Sequence, residues 1–435
     1  MILPHKILRL IVIFCVFAFL FSCQSLKQSG IRKDISKEIR QSPVFDSYFV
    51  GFSLYDTNTD RFIAGVNDNK YFTPASNTKI LTLAAWLNLG LDSIPMARLW
   101  KNNSNLLFQP LGDPTFLHPD FPNQRFIESW QNASYDTLLV VRPDTEISPF
   151  GSGWAWDDYS YDYQAERGIF PLYGNTVYIS GTESGIVANP GHFGPFISTT
   201  ANRTLRQKEF NLFEINDLQP PGKKPLQIPF VQSPELTIRL LADTLKKPVV
   251  YFDGTVPAIR SGIFNSQPRL PVLALMMQRS DNFIAEQLII NAQLYKGFSS
   301  PESFIAYTNR TLFGNLPDSL IWVDGSGLSR YNMFTPRSLV KVLEMLHQQL
   351  SWNEITTLFP TGGVSGTIRR WYADDTPYVF AKTGTLRHNH CLSGFLKTKS
   401  GRILIFSFMN NHYTGSTNEV RQAMQGLLEQ IRDTY

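Results

Sequence analysis

The stretch Phe72-Thr73-Pro74-Ala75-Ser76-Asn77-Thr78-Lys79 decides how this chain is read. It leads into a helix predicted from about Asn77 to Asn88, with Ile80, Leu81, Ala84, Ala85 and Leu87 on its apolar face and Gly90 just past its end. Ser76 opens the helix and Lys79 follows at i+3, so hydroxyl and amine share a face. A neutral lysine there could take the serine's proton, and a helix N-terminus favours negative charge developing nearby. The pattern is short, and Ser338-Leu339-Val340-Lys341 matches it too. By itself, either copy reads as a helix start with a solvated lysine.

Upstream, Tyr48–Tyr55 and Arg61–Val66 flank the turn Asp56-Thr57-Asn58-Thr59-Asp60, which predicts a hairpin. Downstream, from about residue 95 to 250, short β-like runs such as Leu138–Val141, Thr176–Ser180 and Gly185–Ala188 alternate with turn residues. No long helical period is evident there, and the stretch reads as a mostly β insertion. Helices are predicted again at Pro271–Gln278, Ile284–Leu294 and from the Thr335-Pro336 cap to about Gln349. Strands at Tyr378–Lys382, Cys391–Lys397 and Arg402–Met409, and a helix from Thr417 to Arg432, complete the chain. The expected fold class is α/β (α+β), an antiparallel sheet flanked by helices and interrupted by the insertion.

Two further motifs follow. Ser280-Asp281-Asn282 sits in a polar break between apolar helices, a place suited to aiming side chains into a cleft and equally suited to a helix N-cap. Lys382-Thr383-Gly384-Thr385 ends a strand: a positive charge, two hydroxyls and a glycine that lets a ligand approach the backbone. Lys399-Ser400-Gly401 is similar but falls between two strands, as a plain hairpin turn does. Order separates the true first motif from its copy. Ser338 follows Ser280, whereas Ser76 precedes it by 204 residues, and Lys382 lies 102 residues beyond Ser280.

Composition bounds the rest. The chain has 435 residues, 43% hydrophobic and only 17% charged, enough for sizeable cores and for two or three domains of about 150 residues. Residues 1–22 carry Lys6 and Arg9 and no acid, so the remainder balances 38 basic against 36 acidic residues. That near-neutrality gives no reason to expect a nucleic-acid partner. Three cysteines, Cys15, Cys23 and Cys391, exclude a disulfide scaffold and a Cys-rich zinc site. The seven histidines show no i, i+4 pairing, and neither metal nor organic cofactor is expected. Lys6 and Arg9 precede the apolar run Leu10–Phe21, too short to span a bilayer and typical of a signal peptide. Ser22-Cys23 at its end resembles a bacterial lipobox, which implies lipidation of Cys23 and a membrane anchor.

Together, Ser-x-x-Lys, Ser-Asp-Asn and Lys-Thr-Gly in this order are the signature of penicillin-recognising serine enzymes. The chain resembles the class C low-molecular-mass penicillin-binding proteins, or D-alanyl-D-alanine carboxypeptidase/endopeptidases, over roughly residues 45–430. Gly112-Asp113-Pro114-Thr115, Gly153-Trp154-Ala155-Trp156-Asp157-Asp158, Tyr173-Gly174-Asn175, Asp324-Gly325-Ser326-Gly327-Leu328-Ser329-Arg330 and Ser365-Gly366-Thr367 add to that likeness. The resemblance implies a β-lactamase/transpeptidase-like domain acting on peptidoglycan stem peptides and inhibited by β-lactams. Catalytic residues would be Ser76 as nucleophile, Lys79 as base, its charge disfavoured by burial and by Lys382, and Ser280 as proton relay. Asn282 would hold the substrate backbone, and Lys382, Thr383, Gly384 and Thr385 would bind the terminal carboxylate. The N–H groups of Ser76 and Thr385 would form the oxyanion hole.

The expected layout is a lipoprotein signal at 1–22, a tether at 23–43, a catalytic domain split into 44–95 and 255–435, and the insertion at 96–254. The enzyme would face the periplasm from a membrane; Gln24 after Cys23 is not the aspartate of an inner-membrane retention signal, which favours the outer membrane without separating the two. A β-lactamase and a non-catalytic wall-binding protein are the alternatives. Fast turnover of a β-lactam would mark the first, and activity indifferent to Ser76 the second. Two local features stay open or structural: Asp324–Arg330 either lines the cleft or is a Gly-rich turn, and Trp154 and Trp156 are expected on one face of an insertion strand, in its core.

Overall fold

The computed structural model describes residues 35–102, 104–183, 185–199, 204–216, 223–257 and 262–435. Its central sheet is built from both ends of the chain. β1 (Phe49–Asp56) and β2 (Arg61–Val66) form the predicted hairpin, and β3 (Val379–Leu386), β4 (Asn389–Lys397) and β5 (Ile403–Asn411) come from the C-terminal part. The strand order is β3-β4-β5-β1-β2, and each neighbouring pair is antiparallel.

Alternation along the strands explains the layers. In β5, Leu404, Phe406 and Phe408 face one side while Ile405 and Met409 face the other, and all are buried. A sheet buried on both faces needs helices on both. On one face, α6 (Thr417–Thr434) covers it with Val420, Met424, Leu427, Leu428 and Ile431. On the other face lie α1 (Lys79–Leu87), α2 (Arg269–Arg279), α3 (Asn282–Lys296), α4 (Pro301–Thr311) and α5 (Pro336–Gln349). Thr335 caps α5 by accepting from the Ser338 amide, with Pro336 in its first turn. Every side chain of α1 is buried, so this helix is an internal strut rather than an amphipathic surface helix.

The insertion has its own sheet and core. Strands Val249–Phe252, Thr137–Val141, Asn105–Pro110, Ser93–Asn102 and Gly262–Pro268 pair in that order. Its outermost pairing, Ser93–Asn102 with Gly262–Pro268, reaches several residues past both expected limits, 96 and 254. Two helices stand where none was expected, Arg125–Gln131 and Pro234–Leu245. The second was signalled by Ser233-Pro234: Ser233 caps it by accepting from the Leu236 amide, and Leu240, Leu241 and Leu245 are buried beneath it.

At the N-terminus, residues 35–41 are helical, with Ile35 and Ile39 buried in the same core as α6. The expected tether, 23–43, is therefore partly docked: two isoleucines gain more by burial than a free linker would. Cys23 and the apolar run before it lie outside the described residues.

Candidate active site

Two glycines let the Ser76 turn form. Ala75 has φ +49°, a left-handed conformation that is strained for a residue with a side chain. A short 3₁₀ turn, Ala75–Thr78, then feeds α1, in place of a regular first helical turn. A Cβ on Gly327 would stand 2.0 Å from the Ala75 carbonyl oxygen, and one on Gly384 would stand 2.3 Å from that of Pro74. Gly384 is thus needed for the close approach of the Ser76 turn to β3. Ser76 is left half-exposed above a wholly buried Lys79.

The Lys79 amine donates to three acceptors: Ser76 Oγ at 3.1 Å, Asn282 Oδ1 at 2.6 Å and the Ser326 carbonyl at 2.6 Å. Burial lowers its pKa to about 8, against the opposing pull of Asp324, Asp281 and Glu286. The repulsion expected between the two lysines falls on Lys382, which burial and then Lys79 push well below the ordinary lysine range.

Ser280 ends α2 in a left-handed conformation, φ +61°, and Asp281 caps α3 by accepting from the Ile284 amide at 2.9 Å. This break turns Ser280 toward β3, where its Oγ accepts from Lys382 Nζ at 2.7 Å. Asn282 opens α3; besides accepting from Lys79, it donates to the Tyr163 carbonyl at 2.8 Å. The structure thus brings together two hydrogen-bonded groups, Ser76–Lys79–Asn282 and Ser280–Lys382, close enough for the two lysines to repel each other.

On β3, the Ala381 amide donates off the sheet edge to the Pro360 carbonyl. By the two-residue period of a strand, the amides of Thr383 and Thr385 share that edge. The hydroxyls of both threonines have partners that the motifs do not contain. Thr383 Oγ1 donates to Thr367 Oγ1 at 2.7 Å, and Thr385 Oγ1 lies 2.9 Å from Nδ1 of buried His390. Burial lowers the His390 pKa to about 3, so the ring is neutral. Its place opposite Thr385 in the β3–β4 register was the available sequence signal.

Asp324–Arg330 is far more than a turn. The Asp324 carboxylate accepts from the amides of Gly327 and Ser329, from Asn332 Nδ2 and from Trp154 Nε1, all within 2.9 Å. It shapes the loop whose Ser326 carbonyl holds Lys79. Trp154 therefore belongs to this wall, and Trp156 is 74% exposed at the head of a short 3₁₀ turn. Neither lies on a strand of an insertion core: the Trp154 indole N–H finds its partner on the catalytic side, and Trp156 stands out into solvent. Beside Ser280 and Asn282 opens a polar cavity of about 190 Å³, walled by His118, Asp162, Tyr163, Tyr178 and Arg279.

The copied motif is structural: buried Ser338 donates to the Asp318 carbonyl, and Lys341 pairs with Glu344. Cys391 is a fully buried strand residue whose thiol is pushed up to about 12 by burial. Among the described residues, no group of three His, Cys, Asp or Glu side chains is placed to hold a metal ion.

Residues 263–431 match the profile of the D-Ala-D-Ala carboxypeptidase 3 (S13) family. The D-alanyl-D-alanine carboxypeptidase DacB of Haemophilus influenzae is 25% identical over 426 residues, covering 84% of this chain and 86% of that protein. The crystal structure of penicillin binding protein 4 from Haemophilus influenzae superposes with a TM-score of 0.68 at 20% identity, covering 92% of this chain and 98% of that one. Bd3459, a peptidoglycan endopeptidase from Bdellovibrio bacteriovorus, gives a TM-score of 0.51 at 17% identity, covering 88% and 92%. With all three motifs meeting in one cleft, residues 263–431 carry the profile of the S13 family of D-Ala-D-Ala carboxypeptidases, and the chain is similar over most of its length to a class C low-molecular-mass penicillin-binding protein.

Proposed function

We propose that the protein cleaves D-alanyl bonds of peptidoglycan stem peptides, terminal or cross-linking, through an acyl-enzyme on Ser76. The observation that carries this reading is the pair of lysine–serine contacts, Lys79 to Ser76 at 3.1 Å and Lys382 to Ser280 at 2.7 Å. Neutral Lys79 takes the Ser76 proton as Oγ attacks the carbonyl. Developing charge on the oxygen is met by the amides of Ser76 and Thr385, donors typically worth about 2.7–4 kcal/mol each. Ser280 passes a proton to the leaving amine, and Lys382 supports it from behind. Lys382, Thr383 and Thr385, on a strand opened by Gly384, receive the terminal carboxylate. Asn282 turns from the Tyr163 carbonyl to the substrate backbone. Water then releases the shortened peptide.

The test is mass spectrometry of protein incubated with penicillin. A stoichiometric adduct on Ser76 that decays slowly, with release of D-alanine from linear muropeptides or conversion of cross-linked muropeptides to monomers, supports the peptidase. Rapid penicillin turnover would instead favour a β-lactamase, and no adduct on any residue would overturn both.

The placement on a membrane is a separate proposal, supported by the basic start, the apolar run and Ser22-Cys23. Cys23→Ser should abolish fatty-acid labelling and move the protein out of the outer-membrane fraction in the producing cells. Unchanged labelling would sink it.

A further inference from the structure

The insertion reaches the Ser76–Lys79 pair through a buried ion pair. Arg167, in the segment 165–168 that is wholly buried, donates from Nη1 to Glu286 Oε2 at 2.8 Å. Both residues are nearly inaccessible, 6% and 2% by side chain. The other carboxylate oxygen of Glu286 accepts from the Ser326 amide at 2.7 Å, and the carbonyl of that same Ser326 accepts from Lys79 at 2.6 Å. Glu286 also lies four residues after Asn282 on α3, hence on the same helix face as the other acceptor of the Lys79 amine. The neighbouring pair is latched in parallel. The Gly168 amide donates to Gln287 Oε1 at 2.9 Å, and Gln287 Nε2 donates back to the Gly168 carbonyl at 2.8 Å.

We propose that Arg167 is a positioning residue for acylation: through Glu286 and the Ser326 peptide, the insertion holds the amine of Lys79 against Ser76 and sets the charge around it. This rests on the acyl-enzyme reading and adds a residue that none of the three motifs contains.

The charged groups facing the chain of contacts are few. Lys79 meets Asp324 from the 324–330 loop, Asp281 and Glu286 from α3, and Lys382 from β3. Glu286 meets Asp324, which disfavours its charge, and Arg167, which favours it. The outer side of Arg167 meets Glu302 at 3.9 Å. Without Arg167, a buried carboxylate beside Asp324 loses the cation bonded to it and takes up a proton more readily. Its charge then no longer stabilises the Lys79 ammonium, and its hold on the Ser326 amide weakens. Removing the Glu286 charge directly has the same sign. Both changes make Lys79 easier to deprotonate and less well placed.

The experiment times acylation by a fluorescent penicillin across pH for the parent, R167Q, R167K and E286Q, with thermal melting of each. R167Q and E286Q should each move the midpoint of the rate profile down by about half a unit or more and lower the plateau about tenfold. R167K, which keeps a cation, should restore most of the midpoint. A purely structural Arg167 would lower melting temperature or plateau without moving the midpoint. Midpoints unchanged in folded R167Q and E286Q would overturn the proposal. If R167Q does not fold, the near-isosteric E286Q decides alone. A parent that forms no Ser76 adduct would overturn the acyl-enzyme reading and this proposal with it, an outcome distinct from an active parent with an unmoved midpoint.

Discussion

The Nζ of Lys79 stands 3.1 Å from the Oγ of Ser76, and its two remaining hydrogens point to Asn282 Oδ1 and the Ser326 carbonyl. The ammonium form is fully used by three acceptors. Loss of the proton nearest Ser76 leaves a lone pair aimed at the hydroxyl while the other two bonds keep the amine in place.

The sign of the pH dependence follows. In the proposed role as base Lys79 must be neutral, and burial brings its pKa down to about 8. Acylation by a β-lactam should be slow well below that value, rise through it and level off above it. Stopped-flow acylation rates against pH check this, and a flat profile across the range would exclude Lys79 as the titrating base.

Removing the amine should be more severe than shifting it. Lys79→Ala should reduce the acylation rate by about 10²–10⁴-fold, the usual contribution of a positioned general base. Intact-mass measurement over hours would resolve the residual reaction. A rate within threefold or so of the parent would contradict the role.

Thr367 gives a test of the threonine pair. Thr367→Val would leave the Thr383 hydroxyl without the partner it meets at 2.7 Å. A lost hydrogen bond of about 1 kcal/mol predicts KM for a D-alanyl-D-alanine peptide raised about fivefold with kcat nearly unchanged. A fall in kcat at constant KM would place Thr367 in the chemistry instead.

Gly384→Ala should damage fold and activity together. Its Cβ would collide with the Pro74 carbonyl at 2.3 Å and crowd the Asn77 amide at 2.9 Å. Backbone must move, at a cost of about 1–3 kcal/mol. Differential scanning calorimetry should show a lowered Tm and penicillin labelling should fall. A variant with parental Tm would mean the Ser76 turn and β3 separate more easily than their packing suggests.

Much of the fold was legible because its signals are local. The β1–β2 hairpin, the α5 cap at Thr335-Pro336, the three C-terminal strands and α6 follow from alternation, capping and helical period. The helix Pro234–Leu245 is hidden among β-like runs, and only its Ser233-Pro234 cap announces it. The i, i+2 pair Trp154 and Trp156 reads as a strand face, whereas the Trp154 N–H is satisfied by Asp324, 170 residues away.

The sequence by itself determined which residues could carry the chemistry. Three short motifs in a set order, with a long insertion between the first two, single out Ser76, Lys79, Ser280, Asn282 and the Lys382–Thr385 run as the candidates. Tertiary structure alone decided their chemical state. Whether Lys79 is a base depends on its burial and on acceptors at Asn282 and Ser326, 203 and 247 residues away. The carboxylate at Glu286 depends in turn on Arg167, 119 residues away in the insertion. Desolvation and Coulomb interactions act through space and not along the chain, so no reading of neighbouring residues could have supplied them.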